Sequence, residues 1–90
     1  MLESKIVVSN ALGLHARAAA QLVRLANDFQ SDIKIRRTDN SATADAKSIL
    51  SVLTLAASKE IEVEIKTEGA DEKEALSAII KIFTNGFGEI

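Results

Sequence analysis

From Ile61 to Lys66 the chain alternates apolar and charged residues without a break, with Ile61, Val63 and Ile65 on one side and Glu62, Glu64 and Lys66 on the other. A strand of that pattern can bury only one face, so it calls for apolar partners on one side and water on the other. Ile33 and Ile35 repeat the pattern against Lys34 and Arg36. Leu2–Ser9, with Ile6-Val7-Val8 ahead of the turn-prone Asn10 and Gly13, reads as a further strand. Thr38-Asp39-Asn40-Ser41 reads as a turn into a short strand near Ala42–Asp45.

Between these segments the apolar period changes. Ala18, Leu22, Leu25, Ala26 and Phe29 recur at helical spacing over Ala16–Phe29. Ser48 to Leu55 predicts a brief helix with Val52 and Leu55 inward, while Ile49, Leu50 and Leu53 are too many for one narrow stripe and leave apolar surface exposed. Leu76, Ile79, Ile80 and Phe83 form a last helical stripe, opened by a capping box of Asp71 and Glu74 and ended by Gly86 and Gly88. The order is βαββαβα. One apolar face per strand and one stripe per helix predict an α+β open-faced sandwich, a four-stranded antiparallel sheet with three helices on one face. Lys34, Arg36, Glu62, Glu64 and Lys66 would then face water.

Ninety residues are enough for one domain, 1–90, and not for two cores. The chain has no Cys, which excludes disulfides, thiolate metal sites and cysteine nucleophiles, and with one His a zinc site would have to rely on carboxylates. No metal or cofactor is expected. Nothing resembles a leader, and no apolar run approaches the ~20 residues of a membrane span, so the expectation is a cytoplasmic protein without membrane insertion. The 11 basic and 13 acidic side chains, with three Phe and no Trp or Tyr, argue against a nucleic-acid partner. The net charge of -2 hides an asymmetry: residues 1–59 carry 8 basic and 5 acidic groups, residues 60–90 carry 3 and 8. An anion site belongs in the first part, with the acidic residues away from it.

Gly13-Leu14-His15-Ala16-Arg17 sets the only imidazole between a turn and the first helix. The first N–H groups of a helix lack intrahelical partners and carry the positive end of its dipole, so the amides of Ala16 and Arg17 favour an anion there. Arg17 adds a guanidinium suited to phosphate oxygens. A neutral imidazole is a nucleophile, and a phosphoryl group it accepted would meet those same donors. The plainer reading of His15 is a helix cap or packed loop residue. Ser48 is likewise read first as the cap of the second helix.

Gly-Leu-His-Ala-Arg at 13–17, followed by Ala18-Ala19-Ala20, resembles the active-site segment of the HPr phosphocarrier family. Ala46-Lys47-Ser48-Ile49-Leu50 with Leu53-Thr54-Leu55 is similar to the family's regulatory segment, and Gly69-Ala70-Asp71-Glu72 to the start of its last helix. The resemblance implies a phosphoryl relay, not an enzyme, in the phosphoenolpyruvate-dependent sugar phosphotransferase system or a regulatory branch. In it His15 takes phosphate on Nδ1 from enzyme I and passes it to the A domain of a sugar permease component, with Arg17 as the active-site arginine. It also implies that Ser48 is a target of an HPr kinase/phosphorylase. Partners would dock over Ala16, Ala20 and Arg24 of the first helix and Ile49, Leu50, Leu53 and Thr54 of the second, with Lys47 and Arg17 at the rim and the carrier a monomer. An apolar centre with basic edges suits transient binding to acidic surfaces. An adaptor that docks through Ile49 and Leu50 would have no use for His15.

The chain departs from the family in having Ala18 where Pro is usual, Asp39-Asn40-Ser41 without the common Gly, and Ala56 and Glu60 where Gly is frequent. Ala18 keeps helical geometry open, Asn40 is suited to a left-handed turn, and these changes read as structural.

Overall fold

In the computed structural model, which describes residues 1–89, the elements are β1 (Leu2–Val7), α1 (Ala16–Ala26), β2 (Asp32–Arg37), β3 (Thr43–Asp45), α2 (Ile49–Thr54), β4 (Glu62–Glu68) and α3 (Glu72–Thr84), with a short 3-10 turn at Gly86–Gly88. The order matches the expected βαββαβα. The strands form one antiparallel sheet in the order β1-β4-β2-β3. Ile33 pairs with Thr67 and Ile35 with Ile65, which puts the apolar side of both alternating segments on the same face, as a period of two requires. Val63, Ile65, Ile33, Ile35, Leu22, Val52, Ile79 and Phe83 form one core between that face and the helices. Among the described residues no helix is long and apolar enough to cross a membrane.

The far face of the sheet differs from expectation at Glu64, which is buried. Its Oε1 accepts from Arg36 Nε at 3.3 Å and Nη2 at 3.2 Å, with Lys66 Nζ at 3.7 Å. The stems of these long neighbours cover the carboxylate while their cations pair with it.

Two local expectations are corrected. The first helix ends at Ala26, not Phe29: beyond it the backbone tightens, with Asp28 N donating to Leu25 O at 3.0 Å and Phe29 N to Ala26 O at 3.2 Å, while Asn27 Nδ2 turns back to Val23 O at 2.9 Å and Lys47 Nζ holds Phe29 O at 2.7 Å. The Asp71–Glu74 capping box does not form. The Asp71 side chain makes no bond to its own helix; its carboxylate accepts from Gln30 N at 2.9 Å, Ser31 N at 2.8 Å and Ser31 Oγ at 2.5 Å. Asp71 thus clamps the start of α3 to the chain entering β2, while Glu72 Oε1 accepts from Gly69 N at 3.1 Å.

Hydrogen bonds from Ser31 Oγ and then from the Gln30 amide hold the Asp71 carboxyl below the usual carboxylate range. A carboxyl lowered on folding stabilises above its unfolded value, near 4, and loses that contribution as pH falls through the lower folded value. Asp71→Asn should therefore melt below the parent at pH 7, with the two curves converging in strong acid. A constant gap across that range would remove the clamp from the account.

Ser41, Ala56 and Glu60 occupy left-handed backbone, with φ of 61°, 50° and 74°. These are the segments where the family often has glycine, and the turn before β3 places Ser41, not the expected Asn40, in that conformation. The side chain there costs roughly 1–2 kcal/mol, partly offset by the greater unfolded freedom of glycine. Ala56→Gly and Glu60→Gly should each raise stability by about 0.5–1 kcal/mol, measured by denaturant midpoint.

Candidate functional site

The loop from β1 to α1 is held by two crossed bonds: Gly13 N donates to Asn10 O at 3.1 Å, and Asn10 Nδ2 donates to Gly13 O at 2.8 Å. Gly13 has a φ of 64° and lies so close to the α2–β4 loop that a Cβ would fall 2.4 Å from Ala57 O. Leu14 is buried, and its N–H donates to that same oxygen at 2.8 Å. With both neighbours fixed, the next residue has little freedom left.

That residue, His15, is the cap of α1. Its backbone is extended, and its carbonyl accepts the first helical bond from Ala19 N at 2.8 Å. The ring serves both nitrogens. Nδ1 accepts from Arg17 N at 3.3 Å, and Nε2 lies 2.5 Å from Glu89 Oε2. The hydrogen-bond network assigns the proton to Nε2, because Nδ1 faces a donor and Nε2 faces a carboxylate. Nδ1 therefore presents its lone pair at the amino-terminal end of the helix.

An open cleft of about 670 Å³ adjoins the ring, with Leu12, Arg17, Gln21, Phe87 and Glu89 around it. Ala16 and Arg17 are exposed. An anion in the cleft would meet the amino-terminal N–H groups of α1, with that of Arg17 released from Nδ1, and a guanidinium within one turn of chain, a constellation suited to phosphate oxygens.

The other expected residues divide by role. Ala20 is half-buried and Arg24 exposed along α1. Ile49, Leu50, Leu53 and Thr54 are exposed on α2, with Leu50 at 74%, whereas Val52 and Leu55 are buried as expected. Helices α1 and α2 are in contact, so the apolar patch adjoins the His15 helix. Lys47 is half-buried, and its ammonium is taken by the Phe29 carbonyl. Ser48 caps α2, its Oγ accepting from Ser51 N at 3.3 Å, as read from the sequence. Ser48→Ala should cost about 1 kcal/mol on thermal denaturation.

Sequence reasoning missed Glu89 and Asn10. The acidic residues were expected away from His15, yet Glu89 lies on it, and Asn10 Nδ2 also donates to Glu89 Oε2 at 3.2 Å. The hydrogen bond from His15, aided by Asn10 and opposed by partial burial, holds the Glu89 carboxyl below its ordinary range. The chain folds back over some 74 residues to make the contact, and no local spacing signals it.

A family model described as the phosphotransferase-system HPr component phosphorylation site matches residues 2–85. The phosphocarrier protein HPr of Cupriavidus necator is 45% identical over 89 residues, covering 99% of this chain and 98% of that protein. The phosphocarrier protein NPr of Proteus mirabilis is 39% identical over 85 residues, 94% of this chain and 93% of the relative. The crystal structure of an HPr from Thermoanaerobacter tengcongensis superposes with a TM-score of 0.94 at 37% identity, covering 100% of this chain and 99% of the other. The family model over residues 2–85, the end-to-end sequence similarity and the superposition all agree, and the chain belongs to the HPr family of phosphotransferase-system phosphocarriers.

Proposed function

We propose that His15 is the phosphoryl acceptor of this carrier, taking phosphate on Nδ1 from enzyme I and passing it to an A domain. The observation that carries the reading is the ring's arrangement, with an Nδ1 lone pair at a helix amino terminus beside Arg17. Nδ1 attacks phosphorus in line as the bond from phosphorus to the donor group of enzyme I breaks, and the electron pair of that bond leaves with the donor. The incoming oxygens take the Arg17 N–H that Nδ1 gives up, the Ala16 N–H and the Arg17 guanidinium. Such a transfer asks for position and charge stabilisation more than for covalent chemistry from the protein.

Docking would use Ala16, Ala20, Arg24 and the exposed Ile49, Leu50, Leu53 and Thr54, and the carrier would act in the cytoplasm. Similarity to proteins named both HPr and NPr leaves two recipients of the same phosphate, a sugar permease A domain or a protein of a regulatory branch. Phosphorylation of Ser48 by an HPr kinase/phosphorylase would put about two negative charges beside Ile49 and Leu50, opposing an acidic partner. Ser48→Asp should then weaken enzyme I docking with little change in melting, and equal transfer kinetics would count against this regulation.

The test is incubation with phosphoenolpyruvate and enzyme I, followed by intact-mass measurement. The expected product carries one phosphate and is acid-labile and base-stable. No mass shift with several enzyme I proteins would sink the carrier reading. Arg17→Ala should slow transfer by roughly 10²–10³-fold, as removal of a charge-stabilising donor does elsewhere, without unfolding the domain.

A further inference from the structure

We propose that Glu89 is a positioning residue for His15, delivered by a left-handed turn after α3, and that it selects Nδ1 as the reacting nitrogen. The idea rests on the carrier reading, and it adds a group that neither the motif nor the helix terminus contains.

Three consecutive residues after α3 have left-handed backbone: Gly86 (φ 60°), Phe87 (φ 57°) and Gly88 (φ 75°). Glycine adopts this conformation freely, but Phe does not, so something must hold the middle residue there. Phe87 is buried, with its ring edge-on to Phe83 at a centroid distance of 5.0 Å. The turn is closed by Gly88 N to Asn85 O at 3.1 Å and Glu89 N to Gly86 O at 3.0 Å. Phe87 therefore anchors the turn to the core, and the next residue but one emerges at the cleft.

Glu89 Oε2 then receives two donors, His15 Nε2 at 2.5 Å and Asn10 Nδ2 at 3.2 Å. Asn10 is itself buried and tied to Gly13 O, so the carboxylate is aimed from the loop side as well. A neutral imidazole has one proton to place. Glu89 attracts it to Nε2, and the Arg17 amide opposite leaves Nδ1 as the acceptor. When Nδ1 bonds phosphorus, the Nε2 proton stays where it is and the ring becomes a phosphoimidazolium. The carboxylate facing Nε2 offsets that new positive charge. A carboxylate that orients a reacting histidine through its far nitrogen is a recurrent chemical device.

The test is the ring's tautomer in the full chain, read from its ¹⁵N shifts in a long-range ¹H–¹⁵N correlation at a pH well above the ordinary imidazole value near 6.5. The parent should show the proton on Nε2 and a bare Nδ1. Glu89→Ala should give a mixture of tautomers, and Glu89→Gln, which keeps an acceptor without the charge, a smaller change. Phe87→Ala leaves Glu89 in the chain but removes its anchor, and should move the ratio in the same direction. In parallel, Glu89→Ala should slow acceptance from phosphorylated enzyme I by about tenfold, a cost usual for an orienting partner. An unchanged tautomer ratio in Glu89→Ala overturns the proposal. An unchanged ratio in Phe87→Ala overturns the role of the turn. The tautomer needs no phosphoryl donor, so a parent that accepts no phosphate while Glu89→Ala still shifts the ratio refutes the carrier reading and leaves the positioning intact.

Discussion

Gly13→Ala is expected to lower stability by roughly 2–5 kcal/mol, combining the cost of left-handed backbone with that of forcing a group into filled space. The added Cβ would lie 2.4 Å from Ala57 O and 2.7 Å from Ser58 Cα, both backbone atoms that cannot rotate away. Relief requires the whole loop to lift. Lifting it stretches the Leu14 N to Ala57 O bond and draws Leu14 out of the core. For a chain of this size the loss corresponds to a fall in melting temperature of roughly 8–40 °C. It is a large share of the ~5–15 kcal/mol that holds a typical domain together. Because the same loop sets His15, phosphate acceptance should fall in whatever fraction remains folded. A melting temperature within about 2 °C of the parent would show that the loop is not pinned where the close approach implies.

His15→Ala should have the opposite profile. Phosphate acceptance should vanish, because the chain contains no other histidine, while stability falls by no more than about 1 kcal/mol, the size of a lost helix cap. The ring is only half-buried and its contacts are polar, so little packing goes with it. The variant also has a reporter. The hydrogen bond from His15 is the largest influence holding the Glu89 carboxyl down, so without it that carboxyl should titrate higher, toward the ordinary glutamate range. Side-chain NMR across the acid range reads this directly. Retained acceptance of one acid-labile phosphate in His15→Ala would place the reaction on another residue.

The two variants separate what supports the site from what reacts in it. Gly13 is buried, and its missing side chain lets the loop approach the α2–β4 connection. His15, half-buried with polar contacts only, is expected to contribute little to the fold.

Local pattern made much of this legible. Alternation at Ile33–Arg36 and Ile61–Lys66 identified two strands and their inner face, because a period of two permits no other burial. The exposure of Ile49 and Leu50 followed from an apolar count too large for one stripe of a short helix. Ser48 as a cap followed from residue type and place. Where expectation failed, a distant partner outbid a near one. Asp71 had a helix of its own to cap and instead took three donors from Gln30 and Ser31, and Glu64 left water for the cations on either side of it.

By itself, the sequence determined the order of elements, the buried face of each and the placing of one histidine at a helix amino terminus, because these depend on residues within a few positions of one another. Only the tertiary structure decided which groups meet that histidine's second nitrogen. Glu89 reaches it through a turn whose middle residue adopts a conformation it would avoid in isolation and keeps because its ring is buried against Phe83. Local propensity opposes that turn, and packing across the domain overrides it.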